Sequence, residues 1–242
     1  MVSKSQIKLI TSLQQKKYRD KTGLFVAEGP KVIAELQTAG LKLYAHFSTE
    51  FTNTASEKEV RISEAELQKI SFLKSPNTSL AIFEIPKQKE IQTNGLQIAL
   101  DAVRDPGNLG TIIRLCDWFG VTQLICSPDT ADCFNPKVIQ ATMGSIVRIQ
   151  IVYCSLSEYI KNSPLPVYGA CMEGTNVYSA KYPEEALIVM GNEANGISKE
   201  IMGLLHEKIT IPQFGVRQDT ESLNVATATA ILLSEFRRFT ER

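Results

Sequence analysis

The chain has 242 residues, 43% hydrophobic and 21% charged, a balance that excludes disorder and suits one large domain or two small ones. Its 26 basic and 26 acidic residues cancel, so net charge alone selects no partner. No apolar run approaches the ~20 residues of a membrane helix, and the lysine-rich N-terminus lacks an apolar signal core, so the expected setting is the cytoplasm, away from any membrane.

Residues 4–17 predict a helix with Ile7, Ile10 and Leu13 on one face. A short strand at 24–27 and a helix at 28–39, ended by Gly40, follow. Strands at 41–47 and 80–85 enclose a helix at 64–70. Residues 1–31 carry seven basic against two acidic side chains, which hints at an anionic partner or at a solvated helix face. Lys16, Lys17 and Arg19 form the densest basic cluster, with Tyr18 between them. The polar stretch PKQKEIQTNG, from Pro86 to Gly95, is the best domain boundary.

Beyond it, apolar runs recur at 97–103, 123–126, 147–153, 167–171, 187–190 and 208–212. Helical segments are expected at 109–119, 136–143, 198–205 and 224–238. Most of the runs are too apolar for a strand with one wet face. Their alternation with helices predicts an α/β fold with a parallel sheet covered on both sides, whose ligands bind at the carboxyl ends of the strands.

Five cysteines, an odd number without C-x-x-C, read as reduced thiols. Two histidines and no H-E-x-x-H predict no metal site. Neither G-x-x-x-x-G-K-[ST] nor G-x-G-x-x-G occurs, which leaves a nicotinamide-dependent oxidoreductase little support.

Three loops stand out after strands. DPGNLGTIIR runs from Asp105 to Arg114, with Asn108 a good helix N-cap. GNEANG runs from Gly191 to Gly196, its glycines flanking Glu193. In IPQFGVRQDTESLNVATATAILL, Ser222 or Asn224 opens the last helix. Taken singly, each reads as ordinary turn chemistry.

Taken in order, N-x-G-x-x-x-R, G-N-E-x-x-G and I-P followed by S-L-N-V-A-x-A resemble the three motifs of the SpoU (TrmH) family, S-adenosylmethionine-dependent RNA methyltransferases of the SPOUT class. NPKVIQATMGSIVRI, Asn135 to Ile149, is similar to a further family stretch, and VAEGPKVIAEL looks like part of the family's substrate-binding domain. The resemblance implies an RNA substrate-binding domain at residues 1–86 and a catalytic domain at 96–242. It also implies a deep trefoil knot in the parallel-sheet domain, where general topology predicts an unknotted doubly wound fold. A homodimer, and methyl transfer to a ribose 2′-hydroxyl, most often in 23S ribosomal RNA, are implied as well.

By resemblance, Gly191, Ile211 and Leu223 hold the cofactor through their main chain, and Thr142, Met143 and Gly144 form a further wall. Asn108, Arg114, Glu193, Ser222 and Asn224 are the polar motif positions, with Arg114 the essential catalytic residue, either general base or electrostatic anchor. Lys16, Lys17 and Arg19 would contact RNA. The loop PQFGVRQDTE is longer than in some relatives and would carry selectivity through Arg217 or be a plain surface loop. The alternatives are a transfer RNA substrate, methylation of a base nitrogen, and a non-catalytic RNA-binding assembly factor. The intact motif residues argue against the last.

Overall fold

A computed structural model describes residues 1–50, 58–88, 90–215 and 222–240. The chain divides into two compact units, Met1–Lys87 with Asp132–Val147, and Gln88–Ala131 with Arg148–Arg242. The first division falls in the proline-led linker. The second has no signal in the sequence: Asp132–Val147 lies within the stretch expected as one catalytic domain, yet it clusters with the first unit.

The first unit contains α1 (Lys4–Ser12), α2 (Lys16–Thr22), β1 (Leu24–Glu28), α3 (Pro30–Thr38), β2 (Leu43–Ser48), β3 (Glu59–Arg61), α4 (Glu64–Ile70) and β4 (Ser79–Glu84). Its sheet runs β1-β4-β2-β3, with β4 antiparallel to both neighbours and β3 parallel to β2. Ile10 and Leu13, from the predicted apolar face, pack in a core with Val26, Phe47, Ile70 and Ile82. The segment Asp132–Val147 adds the helix Pro136–Thr142, α6 in chain order, and sets the Phe134 ring 5.0 Å from that of Phe25.

The single helix expected over 4–17 is broken. α1 stops at Leu13, and Gln15 is extended at φ −98°, ψ 131° before α2 begins. The Thr11 and Ser12 hydroxyls donate back to the Ile7 and Leu9 carbonyls, a local alternative that weakens a helix. The decisive group is Arg19. Its Nη1 takes the Leu13 and Gln14 carbonyls at 2.7 and 2.9 Å, and its Nε donates to Asp132 Oδ2 at 2.9 Å. The guanidinium also pairs with Asp132 through Nη2. Arg19 is 1% exposed, so its placement on an RNA-binding surface is corrected: it is the buried plug of the helix break.

The second unit contains β5 (Leu96–Leu100), α5 (Pro106–Trp118), β6 (Gln123–Cys126), β7 (Gln150–Tyr153), α7 (Leu156–Asn162), β8 (Val167–Asn176), β9 (Ala186–Met190), α8 (Lys199–Met202), β10 (Glu207–Thr210) and α9 (Val225–Arg237). Its six strands are parallel throughout, in the order β10-β8-β9-β5-β6-β7. β5 and β9 are buried along their whole length, as the apolar runs predict. α7, not anticipated, is a single short helix with Leu156 and Ile160 buried one turn apart. From β5 the chain moves outward to β6 and β7, then returns on the other side, with β9 beside β5. The strand order reverses there, so the loops after β5 and β9 meet where such sheets bind ligands.

β8 is longer than expected because it pairs with β10 twice. Lys208 sits opposite Gly169, and the next residue, Ile209, sits opposite Thr175. Gly174 permits the second pairing, since a Cβ there would lie 2.5 Å from the Lys208 carbonyl oxygen. Residues 170–174 bow out between the two paired stretches. Among the described residues no helix is long and apolar enough to cross a membrane.

Arg19→Ala strands a largely buried carboxylate and two carbonyls. The expected cost is about 3 kcal/mol of stability, as for breaking buried ion pairs. Urea titration with a probe in the first unit checks this, and a shift under about 1 kcal/mol would contradict the plug.

Candidate functional site

The start of α5 sets the geometry. Asp105, not Asn108, is its N-cap: the Asp105 carboxylate accepts from the Asn108 backbone N–H at 2.8 Å, and Pro106 takes the first helical position. That correction frees the Asn108 side chain. Its Nδ2 donates to Glu193 Oε1 at 2.9 Å, and its Oδ1 accepts from Asn224 Nδ2 at 2.9 Å. Asn224 caps α9, its Oδ1 accepting from the Ala226 and Thr227 N–H groups at 2.9 and 3.2 Å. One hydrogen-bonded line thus joins the three loops.

The turn after β9 is held by its backbone. Asn192 and Gly196 exchange N–H···O bonds of 3.0 and 2.9 Å. Gly191 is obligatory, because a Cβ there would lie 2.2 Å from the Gly196 carbonyl carbon. Asn192 Nδ2 donates to the carbonyl of Ala102, a non-glycine residue at φ 57°, at 2.7 Å. Ser198 makes no side-chain cap to α8; its N–H donates to Asp101 Oδ2 at 2.7 Å. Asp101 and Asn192 escaped the sequence reading. Asp101 directly follows the buried strand β5, and Asn192 follows β9 by two residues; that place at the carboxyl end of a buried strand is their signal.

Glu193 also faces the Asp105 and Arg104 N–H groups at 3.3 and 3.4 Å. Partial burial pushes its carboxyl up. The hydrogen bonds from the Asn108 side chain and from backbone N–H groups outweigh that and hold it below the usual carboxylate range.

These loops open onto a cavity of about 950 Å³ built from the second unit. Five expected residues line it: Gly191, Glu193, Ile211, Ser222 and Leu223. The bowed stretch of β8 supplies Ala170, Cys171 and Met172 as a wall that the sequence did not suggest. Asn108 and Asn224 join the site through Glu193. Arg114 does not line the cavity; it lies on the exposed stripe of α5 formed by Gly107, Thr111, Arg114 and Trp118. Thr142, Met143 and Gly144 belong to the first unit and are not among the lining residues. Thr142 is buried and bonded to the Ile139 carbonyl, and Met143 and Gly144 turn the chain at φ 51° and 95°. Lys17 stands 4.9 Å from the centroid of the half-exposed Tyr18 ring in α2, which Lys16 opens. Arg217 lies outside the described residues.

Among the described residues no cluster has the composition of a metal site. Glu193 is the one charged side chain among the described lining residues. An anionic ligand finds no counter-charge in that wall, whereas a cationic one does. A volume near 950 Å³ is at the upper end of small-molecule sites.

Residues 95–234 match the family described as SpoU rRNA Methylase family, and residues 4–81 match the MRM3-like substrate binding domain. The chain is 31% identical over 235 residues, 93% of each protein, to the 23S rRNA (guanosine(2553)-2′-O)-methyltransferase RlmP of Bacillus subtilis. It superposes with TM-score 0.88 on a TrmH-family protein from Porphyromonas gingivalis, at 37% identity over 98% of this chain and 99% of that one. The AdoMet-bound rRNA methyltransferase from Sinorhizobium meliloti gives TM-score 0.88 at 30% identity, covering 100% of this chain and 98% of that one.

The depressed Glu193 carboxyl carries a pH signature. Its stabilising contribution is complete above the ordinary carboxylate pKa and is lost as pH falls through its lower folded value. Between about pH 5 and pH 3, Glu193→Gln should therefore lose stability less steeply than the unaltered chain. Parallel denaturation curves across that window would contradict it.

Proposed function

The chain belongs to the SpoU rRNA methylase family, and from that premise we propose that it methylates a ribose 2′-hydroxyl of ribosomal RNA with S-adenosylmethionine as donor. The observation that carries the reading is the line Glu193–Asn108–Asn224, which ties the three loops together at a cavity whose one charged wall residue, among the described residues, is an acid. That wall suits a sulfonium, and its backbone at Gly191, Ile211 and Leu223 suits a nucleoside held by main-chain groups. When bound, S-adenosylmethionine supplies an electrophilic methyl group.

The remaining chemistry falls to the protein. A 2′-hydroxyl must lose its proton as it is methylated. Arg114 carries a guanidinium, which is a poor general base. Its guanidinium is suited instead to gripping a phosphate and to stabilising developing alkoxide charge. We assign it that role, with Asn108 and Glu193 fixing the start of the helix that carries it and Ser222 placed to contact cofactor or ribose. Lys16 and Lys17 would add phosphate contacts from the first unit. We further infer the family's homodimer and knot. Trp118, 84% exposed one turn beyond Arg114, is the apolar anchor a second copy would cover. Sedimentation at the mass of one chain would remove the dimer. The activity would sit in the cytosol, where five free thiols stay reduced.

The test is transfer of labelled methyl from S-adenosylmethionine to unmodified RNA separated by size, followed by alkaline digestion. Label in an alkali-resistant dinucleotide from ribosomal RNA is expected. Label in mononucleotides would move the reaction to a base, and label in the transfer RNA fraction would change the substrate. Arg114→Ala should lower turnover at least about a hundredfold with cofactor affinity nearly unchanged; turnover within threefold would remove Arg114 from the chemistry. Lys16→Ala with Lys17→Ala should weaken RNA binding and flatten its salt dependence. An unchanged slope would take α2 out of the interface.

A further inference from the structure

Four of the large apolar side chains exposed on this chain gather at one place. Met172, Phe214 and Leu223 line the cavity at 59%, 83% and 48% exposure. Tyr178 stands against Phe214, with ring centroids 6.4 Å apart and planes inclined by 32°. Tyr178 is itself 40% exposed and is not part of the cavity wall, so whatever covers it lies beyond the cavity's own contents. Exposed apolar surface concentrated in this way marks a binding face.

The two rings come from separate elements and one is firmly mounted. Tyr178 sits in the short 3-10 turn Val177–Ser179 that follows β8. Its N–H donates to Asn176 Oδ1 at 3.0 Å, the Ser179 hydroxyl donates to the Asn176 carbonyl at 2.7 Å, and Val177 is fully buried beneath. Phe214 follows β10, three residues beyond Ile211. Met172 adds a thioether from the bowed part of β8.

We propose that Tyr178 and Phe214 form a stacking platform for the base of the nucleotide whose ribose is methylated. The inference rests on the RNA-methyltransferase reading above. A ribose held within a base-paired stack cannot enter a concave site, so the target nucleotide must be splayed out, and its base then loses its neighbours. Aromatic faces replace that stacking, and they do so for any base because every base has a π-face. Among the described residues the surrounding wall offers one charge, Glu193, so the grip on the base is stacking and not ion pairing.

The experiment uses the full chain and a short RNA carrying the nucleotide mapped by alkaline digestion. Phe214→Ala and Tyr178→Ala should each raise the KM for this RNA about tenfold with the thermal midpoint and the solution mass unchanged, and Tyr178→Ala, whose ring lies outside the cavity wall, should also leave the Kd for S-adenosylmethionine unchanged. Phe214→Trp should restore the KM. An RNA whose target nucleotide is abasic but keeps its 2′-hydroxyl should bind the unaltered protein as weakly as the normal RNA binds Phe214→Ala, and combining the two changes should add little. Additive losses would overturn the platform, as would a KM within twofold of the original. A loss confined to cofactor affinity would reassign the rings to the cofactor, and a change in solution mass would reassign them to a subunit contact; either outcome overturns the proposal. If the unaltered protein transfers no methyl group to any RNA, the failure belongs to the methyltransferase reading.

Discussion

The Asn108 carboxamide connects residues 85 and 116 positions away, and the polarity of that connection is fixed at both ends. Glu193 is ionised and can only accept, so the amide nitrogen of Asn108 must face it. The oxygen of Asn108 then faces Asn224. There the side-chain oxygen is already committed to two helix N–H groups, so only its nitrogen is available. Every donor in the line has one acceptor, and no flipped arrangement satisfies all of them. The start of α5, the turn after β9 and the start of α9 are therefore set by one another. The cavity inherits its shape from that agreement more than from any single loop.

Why the line can form at all is a matter of topology. β5 and β9 are distant in sequence but adjacent in the sheet, and their carboxyl ends point the same way. Asp101, at the end of one, holds the N–H of Ser198 beyond the other, while Asn192 reaches back to the Ala102 carbonyl. The left-handed Ala102 and the crowded Gly191 are the local costs of bringing two turns so close. Such strain persists only where the surroundings over-determine the backbone, as these crossed hydrogen bonds do.

Much of this was legible beforehand, and the exceptions share a cause. The strands of the second unit could be read because burial on both faces leaves an apolar run that needs no partner to be recognised. The motif loops could be read because their glycine, asparagine and glutamate positions are tied to turns. What escaped depends on partners remote in sequence. Arg19 looks like one of a row of surface cations, and the Asp132 carboxylate that pairs with the buried guanidinium lies 113 residues away. Asn108 looks like a cap because the partners that occupy its side chain, Glu193 and Asn224, lie 85 and 116 residues away, while Asp105 caps the helix. Ala170, Cys171 and Met172 look like continuing strand until the register against β10 is known. The exposed position of Arg114, and the clustering of the Thr142–Gly144 turn with the first unit, likewise follow from packing and not from local pattern.

The double pairing of β8 with β10 has a consequence for how such a site can vary. Between Gly169 and Thr175 one strand carries five residues where the other carries none, yet the ladders on either side are closed. Length in that arc is thus decoupled from the register of the sheet. A residue gained or lost elsewhere in β8 would turn alternate side chains to the wrong face. Within the arc it would alter only the depth and lining of the cavity, so ligand fit can drift there while the sheet that supports it remains the same.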